Sequence, residues 1–336
     1  MYALSCTDGF KYPGSEPTYI TDIIPVSAGL AAVGSDQSLS IFNPLRLNQG
    51  PLKKVQTNHG NISCAEVFSV GNSIVATAGE NGTVSLWDLR SDAANTPVLQ
   101  IGTPGEGPGL LSLACSEQTN TLAAGTELAN HQASILLWDL RSPRVPKIHY
   151  DEVHSDDVTE LSFHPTNPHL LLTGSTDGLV NVCDTRITDE DEVVIAAFNH
   201  GSVHRAGFLN ETEVYAVSHD ERFALYDMGE TVEKGSPTLD LGDIRKVVDC
   251  QYLCNVIPKV TGAGAVIGAG TQDQELFRLI HLSKNGASWS LDSETVVGLP
   301  GAHGSEIVRS FCFVDEQQVV FTAGEDSCIK AWRPSV

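Results

Sequence analysis

The amino-acid sequence predicts an all-β fold made of seven similar units, which together form a single domain over residues 1–336. The first observation is a recurring segment: a Gly or Ser, a polar turn with Asp or Asn, and then alternating small and apolar residues. Alternation with a period of two residues is typical of β-strands. The second observation is a constant spacing of six residues, in five copies, from the turn residue to a terminal aromatic residue or cysteine. These pairs are Asp36 and Phe42, Asn81 and Trp87, Asp177 and Cys183, Asp220 and Tyr226, and Asp326 and Trp332.

Two weaker copies lie between the regular ones. The segment at 130–141 reaches Trp138 after a lengthened turn, and the segment at 268–279 ends in Leu279 without an aromatic residue. Seven units in 336 residues average 48 residues each. The sixth unit departs furthest from the pattern, because its first strand is expected within KVVDCQYLCNV (246–256) and does not follow a histidine.

These repeats resemble those of the WD-repeat β-propeller family. The dipeptide that gives the family its name occurs at Trp87-Asp88 and at Trp138-Asp139, and the repetition covers nearly the whole chain. The resemblance implies that each unit folds as a four-stranded blade of a ring closed around a central channel. Residues 2–10 are expected to supply the outer strand that the last blade lacks after Trp332. The pattern is also similar to the WD-repeat protein 89 group, which favours a nuclear or cytoplasmic protein.

A histidine precedes the turn residue in four of the units, by 22, 23, 20 and 23 residues. The resemblance implies a buried network in which this imidazole bonds the turn residue. A buried neutral imidazole needs both a donor and an acceptor partner. A shared metal site is disfavoured, because histidines placed one in each blade would lie too far apart. The predicted pairs are His59 with Asn81, His154 with Asp177, His200 with Asp220, and His303 with Asp326.

The charge balance restricts the kind of partner. The chain has 20 Lys and Arg residues against 42 Asp and Glu residues, a formal net charge of −22. Nucleic acid and anionic membrane surfaces are therefore disfavoured as main partners, because binding to phosphates needs a basic surface. A basic protein would be attracted by the same field. The eight cysteines form no CxxC pair, so we expect reduced thiols and no zinc site.

Motifs for catalysis or nucleotide binding are weak. The glycine-rich run at 102–109 lacks the Lys-Ser/Thr pair of a phosphate-binding loop, and the run at 262–270 lacks the GxGxxG spacing. The sequence contains neither GxSxG nor HExxH. We therefore expect no cofactor, no metal and no enzymatic activity. The alternative from another functional class is a propeller hydrolase or lyase, which would need a metal in the channel.

Candidate partner-binding residues fall into two groups. Strand starts of the type VxxLxF are expected to place one group at the mouth of the channel: Thr159, Glu160, His204, Arg205, Asp249, Arg309 and Ser310. The other group is the acidic loop that precedes the fourth blade's first strand: Asp151, Glu152, Asp156 and Asp157. A second acidic run, 188–192, is expected on the opposite side of the fourth blade. The sequence predicts binding of a basic protein segment, such as a histone tail or a ribosomal or nucleolar protein. The alternative is that these groups pair with each other or with water.

A further motif follows the third strand of three blades. The residues Trp-Asp-Leu-Arg end at Arg90 and Arg141, and a degraded copy ends at Arg186. This looks like the WDxR box of propellers that act as substrate receptors of cullin-4 ubiquitin ligases, whose Arg docks an adaptor. The alternative function is therefore a ligase substrate receptor. The structural interpretation is that the Asp caps the turn and the Arg covers the Asp.

Overall fold

The computed structural model describes residues 2–91, 96–102, 105–229, 235–259, 262–286 and 288–334. Consecutive strands in these ranges are hydrogen-bonded in groups of four, and this confirms the predicted all-β class. Five groups are separate four-stranded sheets, and the remaining eight strands form one continuous sheet. The described residues therefore contain seven consecutive four-stranded groups, which we call blades one to seven. None of the helices in these ranges is long and apolar enough to span a membrane.

The strands follow the chain from the inner to the outer position of each blade. The N-terminal strand is β1 Tyr2–Lys11. Blades one to three contain β2 Ile20–Val26, β3 Gly29–Gly34, β4 Ser38–Phe42, β5 Pro51–Gln56, β6 Ile62–Ser69, β7 Ile74–Gly79, β8 Val84–Asp88, β9 Leu99–Ile101, β10 Leu110–Ser116, β11 Thr121–Thr126, β12 Ile135–Asp139 and β13 Ile148–Tyr150. Blades four and five contain β14 Val158–Phe163, β15 Leu170–Ser175, β16 Leu179–Asp184, β17 Val194–Asn199, β18 Val203–Phe208, β19 Glu213–Ser218, β20 Arg222–Asp227 and β21 Leu239–Asp243. Blades six and seven contain β22 Tyr252–Pro258, β23 Gly264–Thr271, β24 Leu276–Asn285, β25 Ser288–Pro300, β26 Val308–Val314, β27 Val319–Gly324 and β28 Cys328–Pro334. Short helices are α1 Glu190–Val193, α2 Ile244–Val248 and the 3₁₀ turns Leu47–Gln49 and Asp315–Gln317.

The N-terminal strand completes the last blade, as the sequence predicts. β1 pairs antiparallel with β28, with Cys6 opposite Trp332. Its first residues also pair in parallel with β25, with Tyr2 opposite Val297. β1 therefore covers two strand edges at once and joins blades six and seven into the eight-stranded sheet. Covering these edges removes unpaired backbone groups that would otherwise invite aggregation.

A β-bulge occurs at the same place in the first strand of every blade. The register shifts by one residue there, as between Val158 and Glu160 in blade four and between Val203 and Arg205 in blade five. In six blades the shift follows the residue opposite the end of the second strand, and in blade six it follows Leu253, opposite Ala269. A bulge bends its strand and redirects one side chain. The residues that follow the bulge are Asp22, Cys64, Ser112, Glu160, Arg205, Asn255 and Ser310. All seven line the central channel.

The hydrophobic core lies between the blades. The described residues form seven apolar clusters, one for each pair of neighbouring blades. Phe42 of blade one packs in the same cluster as Phe321 of blade seven, so the ring is closed. The terminal aromatic residues of the repeats are buried here, and Trp87 is 4% exposed and Trp332 is 2% exposed. Burying one such side chain contributes about 1.5–3 kcal/mol.

Blade six contradicts the prediction for its terminal residue. In blade four, Glu160 follows the bulge and pairs with Gly174. The terminal Cys183 pairs with Leu171, three residues before Gly174. The equivalent pair in blade six is Ala265 with Leu282, not Leu279. Leu282 is fully buried between blades five and six, whereas Leu279 packs between blades six and seven. The reason is a longer β23–β24 hairpin, which breaks the six-residue spacing.

The predicted position of Asp249 at the start of a strand is also wrong. The first strand of blade six begins at Tyr252, and Asp249 is the left-handed residue (φ 52°) that ends α2. The position after the bulge, which the prediction gave to Asp249, belongs to Asn255. The VVDCQY sequence resembles a strand start, but the side chain of Asp243 caps the backbone N–H of Arg245 and starts a helix there.

The predicted histidine networks form in three blades. His154 Nδ1 lies 2.9 Å from Asp177, and its Nε2 lies 2.8 Å from Thr173 Oγ1. In blade seven, His303 makes the same contacts with Asp326 (2.6 Å) and Thr322 (2.8 Å). The indole of Trp332 donates to the same Thr322 hydroxyl at 2.9 Å. His59 is bonded to Thr77 and Thr83, with Asn81 further away at 3.4 Å.

Blade five contradicts the fourth predicted pair. His200 bonds the Tyr226 hydroxyl at 3.0 Å and the Arg222 carbonyl oxygen at 3.0 Å, and it does not bond Asp220. Tyr226 occupies the position that tryptophan holds in blades two, three and seven, and its hydroxyl reaches the imidazole directly. Burial lowers the pKa of His200 to about 4, so the ring is neutral at physiological pH.

Candidate protein-binding surfaces

The first candidate surface is the upper mouth of the channel, where the first strands begin. The upper channel forms a cavity of about 330 Å³. Arg205 donates to Glu160 Oε1 at 2.7 Å. The side chain of Glu160 is 16% exposed, and that of Arg205 is 41% exposed, towards the channel. Burial raises the pKa of Glu160, and the Arg205 guanidinium partly opposes that rise. Burial would lower the pKa of Arg205, but the carboxylates of Glu160 and Asp22 raise it.

The other residues predicted at the mouth also have partners within the protein. Ser310 donates to Asp22 Oδ1 at 2.6 Å. Thr159 donates to the Val203 carbonyl oxygen at 2.8 Å, and Arg309 Nε donates to Glu325 at 2.7 Å.

His204 stands beside His219, with ring centroids 5.0 Å apart. Burial lowers the pKa of His204 to about 4, and Arg205, His219 and Arg309 add to that effect. The structure thus brings six of the seven predicted mouth residues to the start of the first strands and pairs Arg205 with Glu160, while Asp249 lies outside this group.

The second candidate surface joins the two acidic segments of the sequence. Glu190 Oε2 accepts the backbone N–H groups of Asp151 at 2.7 Å and Glu152 at 2.6 Å. The expectation that 188–192 lie on the opposite side of the blade is therefore wrong. The side chain of Asp189 caps α1, which turns the run back towards the acidic loop. We call the combined region the acidic surface: Asp151, Glu152, Asp156, Asp157, Asp189, Glu190, Asp191 and Glu192.

Parts of the acidic surface are fixed by hydrogen bonds. Asp157 Oδ1 accepts the backbone N–H of Leu128 at 2.7 Å, and Asp151 Oδ1 accepts the hydroxyl of Ser134 at 2.6 Å. His149 lies 2.8 Å from Asp151. Among the described residues, no Lys or Arg forms an ion pair with any carboxylate of the acidic surface. The surface therefore carries a fixed and largely uncompensated negative charge.

The third candidate surface carries the arginines of the WDLR segments. Arg141 binds Asp139 with two nitrogens, at 2.8 and 2.7 Å, and its own backbone N–H bonds the same carboxylate. Arg90 and Arg186 repeat this arrangement with Asp88 and Asp184. The bond to Arg141 lowers the pKa of Asp139 to about 2. The three arginine side chains remain 49%, 68% and 62% exposed for Arg90, Arg141 and Arg186.

In the part of the chain that the structure describes, no group of three or more His, Cys, Asp or Glu side chains has the arrangement of a metal site. The groups that sequence reasoning missed are Glu66 and Asp22. Both line the channel, and Asp22 occupies the same bulge position as Glu160. Glu66 was missed because its strand, ISCAEVFS, does not match the VxxLxF pattern used to find the mouth residues.

Comparison with known proteins agrees with this fold. Residues 21–168 match the model of the nucleolar protein 10-like N-terminal β-propeller domain, and residues 293–333 match the WD domain, G-beta repeat. A chain of the crystal structure of the mitotic checkpoint complex superposes with a TM-score of 0.73 over 99% of this chain and 93% of that chain, at 14% identity. The fold and these matches identify the chain as a member of the WD-repeat β-propeller proteins.

Its relatives are WD repeat-containing proteins. An uncharacterized one from Saccharomyces cerevisiae is 30% identical over 79% of this chain, which spans 65% of that relative's length. Another, from Schizosaccharomyces pombe, is 29% identical over 98% of this chain and 99% of the relative. The WD repeat-containing protein 89 homolog of Dictyostelium discoideum is 23% identical over 64% of this chain and 56% of its own length. WD-repeat proteins usually act as scaffolds for protein interactions.

Proposed function

We propose that this protein is a scaffold that binds a Lys- and Arg-rich segment of a partner protein at the acidic surface, with further contacts at the upper mouth of the channel. The observation that carries the proposal is the contact of Glu190 with the backbone of Asp151 and Glu152, because it merges two acidic segments into one surface. Basic side chains would complete ion pairs that the described residues do not supply. A histone tail or a ribosomal or nucleolar protein has the required composition.

The charge of the whole chain supports the same partner. A net charge of −22 attracts a cationic segment from a distance and raises its association rate. The acidic surface then selects where the segment docks. Attraction of this kind acts on association more than on dissociation.

The test compares two variants of equal net charge. The first replaces Asp151, Asp156 and Asp157 by Asn and Glu152 by Gln, which keeps the hydrogen-bond acceptors that Leu128 and Ser134 use. The control replaces four exposed acids elsewhere by Gln: Glu16, Glu106, Glu211 and Glu306. Surface plasmon resonance with an immobilised Lys/Arg-rich peptide should show slower association for the first variant and near-parental association for the control.

Two results would contradict the proposal. If both variants slow association equally, only the net charge matters and the acidic surface is not the docking site. If the parent does not distinguish the peptide from one with Gln in place of each Lys and Arg, a basic segment is not the partner.

The exposed arginines favour a second candidate function, a substrate receptor of a cullin-4 ligase. Arg90, Arg141 and Arg186 occupy the same position on three consecutive blades and keep about half or more of their side chains exposed. Replacing Arg90 and Arg141 by Ala should abolish co-precipitation of the ligase adaptor. Replacing the exposed Arg46 and Arg144 should not. An adaptor that never co-precipitates with the parent protein excludes this function.

We also propose that the protein acts in the nucleus, the cytoplasm or both. The match to a nucleolar protein 10-like domain supports the nuclear location. Fluorescence microscopy of the tagged full chain tests this proposal, and exclusive location in a secretory compartment would contradict it.

A further inference from the structure

A second cavity lies at the lower end of the channel, where the first strands end. Its lining includes Ile24, Val67, Ile257 and Phe313, each from a different blade. The cavity has a volume of about 750 Å³, larger than that of the upper channel. A volume of this size and a largely apolar lining are typical of ligand sites.

The lower cavity continues sideways as a groove beneath blades six and seven. A neighbouring cavity of about 400 Å³ shares Val266, His281, Phe313 and Asp315 with it. This second cavity extends to Tyr2 of the N-terminal strand, which is 54% exposed. The elongated shape suits an extended peptide better than a compact small molecule. We call the two connected cavities the lower groove.

Two carboxylates stand at the inner end of the lower groove. Glu66 and Asp22 line both this cavity and the upper channel. Among the described residues, neither forms an ion pair with a Lys or Arg. Arg205 forms its ion pair with Glu160. Lys259 also lines the groove but pairs with neither carboxylate. The apolar groove therefore ends at a site with an excess of negative charge.

The protonation of Glu66 depends on the groups around it. Burial raises the pKa of Glu66, and the carboxylates of Asp22 on β2 and Glu160 on β14 add to that rise, so that the pKa is about 7. The other titratable groups that act on or are influenced by this cluster are Arg205 on β18, Cys64 on the same strand and Cys115 on β10. A cation in the channel would favour the ionised form. The site should therefore bind a cation better at pH 8 than at pH 6.

We propose that the lower groove binds an extended segment of a partner protein in which a Lys or Arg is flanked by apolar residues. The cationic side chain enters the channel and pairs with Glu66 and Asp22. The apolar neighbours cover Ile24, Val67, Ile257 and Phe313. This inference goes beyond the proposed function, because it concerns another surface and a partly apolar ligand.

The test is a selection of random peptides displayed on phage against the full chain. The enriched peptides should share a Lys or Arg with apolar neighbours. A synthetic peptide of that consensus should bind the Glu66→Gln variant at least roughly tenfold more weakly, because a neutral amide cannot form the ion pair with the cation. Val67→Ser should also weaken binding. The matched control, Glu106→Gln, removes one exposed acid and should bind like the parent. Binding to the parent should tighten from pH 6 to pH 8, and binding to Glu66→Gln should not.

Three results would overturn the inference: no enrichment, a consensus without a cation, or unchanged affinity for Glu66→Gln. The variant neutralised at Asp151, Glu152, Asp156 and Asp157 separates this site from the acidic surface. Peptides that lose affinity for that variant but keep it for Glu66→Gln use the acidic surface. That outcome supports the proposed function and contradicts a site in the lower groove.

Discussion

At the scale of single residues, the side chain of Asp177 connects two segments of blade four. It bonds the imidazole of His154 and also accepts the backbone N–H of Ser155 and Leu179. Burial raises the pKa of Asp177, but the bond to His154 and the backbone donors outweigh burial and leave the pKa lowered. The carboxylate is therefore ionised in the folded state and fixes the loop against the turn.

Replacing Asp177 by Ala should destabilise the protein by about 1–3 kcal/mol, because it leaves a buried imidazole and two backbone groups without acceptors. The matched control is Asp220→Ala in blade five. Asp220 is exposed and His200 does not bond it, so this variant should change stability by less than about 0.5 kcal/mol. Chemical denaturation measures both. Equal effects at the two positions would show that the buried network does not stabilise the blade.

Removing the charge of Glu66 should stabilise the protein, whereas removing that of Asp177 should destabilise it. Its pKa rises from 4.5 to about 7 on folding, so the folded state binds more protons and loses stability as the pH rises through that interval. The Glu66→Gln variant should therefore gain melting temperature over the parent between pH 5 and pH 8. The gain should be largest at pH 8. A difference between the two proteins that does not change with pH would contradict the raised pKa.

At the scale of secondary-structure elements, the long β24–β25 hairpin of blade six is anchored to blade five. Lys284 and Trp289 at its tip donate to Glu213 at 2.7 and 2.6 Å. Asn210 of the same blade as Glu213 adds a third bond at 2.6 Å. Glu213 is only 3% exposed. The contact links two blades whose repeat patterns differ in length.

Glu213→Ala should destabilise the fold by about 3 kcal/mol or more, because it leaves an ammonium group and an indole without their acceptor. Glu211→Ala is the control, since its exposed side chain has no partner among the described residues. Thermal melts measure the difference. A Glu213→Ala protein that melts with the control would show that the hairpin tip is not held by this contact.

The elements that the sequence predicts best are those with regular spacing. The turn-to-terminal spacing correctly predicts the strand pairs that end at Phe42, Trp87 and Trp332, and the expected completion of the last blade by the N-terminal residues is confirmed by β1. The predictions for Leu279 and Asp249 are wrong, because local helix capping and a longer hairpin shift the register of blade six. Neither helix capping nor hairpin length produces a periodic pattern in the sequence. The contact of Glu190 with the acidic loop depends on the path of the chain around α1, which spacing alone does not define.

At the scale of the whole molecule, a closed ring of blades carries a charge of −22 with its acids unevenly distributed. Charged residues at the mouth form ion pairs with Lys or Arg within the protein, Glu160 with Arg205 and Glu325 with Arg309. The acidic surface forms no such pair among the described residues, and it therefore provides the stronger site of attraction for a basic segment. Attraction between solvent-exposed charges is screened over about 10 Å at 0.1 M ionic strength and over much shorter distances at higher salt.

The most direct test of the proposed function is the salt dependence of binding. The association rate of a Lys/Arg-rich peptide should be measured from roughly 0.1 to 0.5 M salt for the parent, the variant neutralised at Asp151, Glu152, Asp156 and Asp157, and the control of equal net charge. We expect association with the parent and with the control to slow markedly across this range, as screening shortens the reach of the acidic surface. The neutralised variant should start slower and depend less on salt. An affinity that changes neither with salt nor with neutralisation would show that the acidic surface does not recognise the partner.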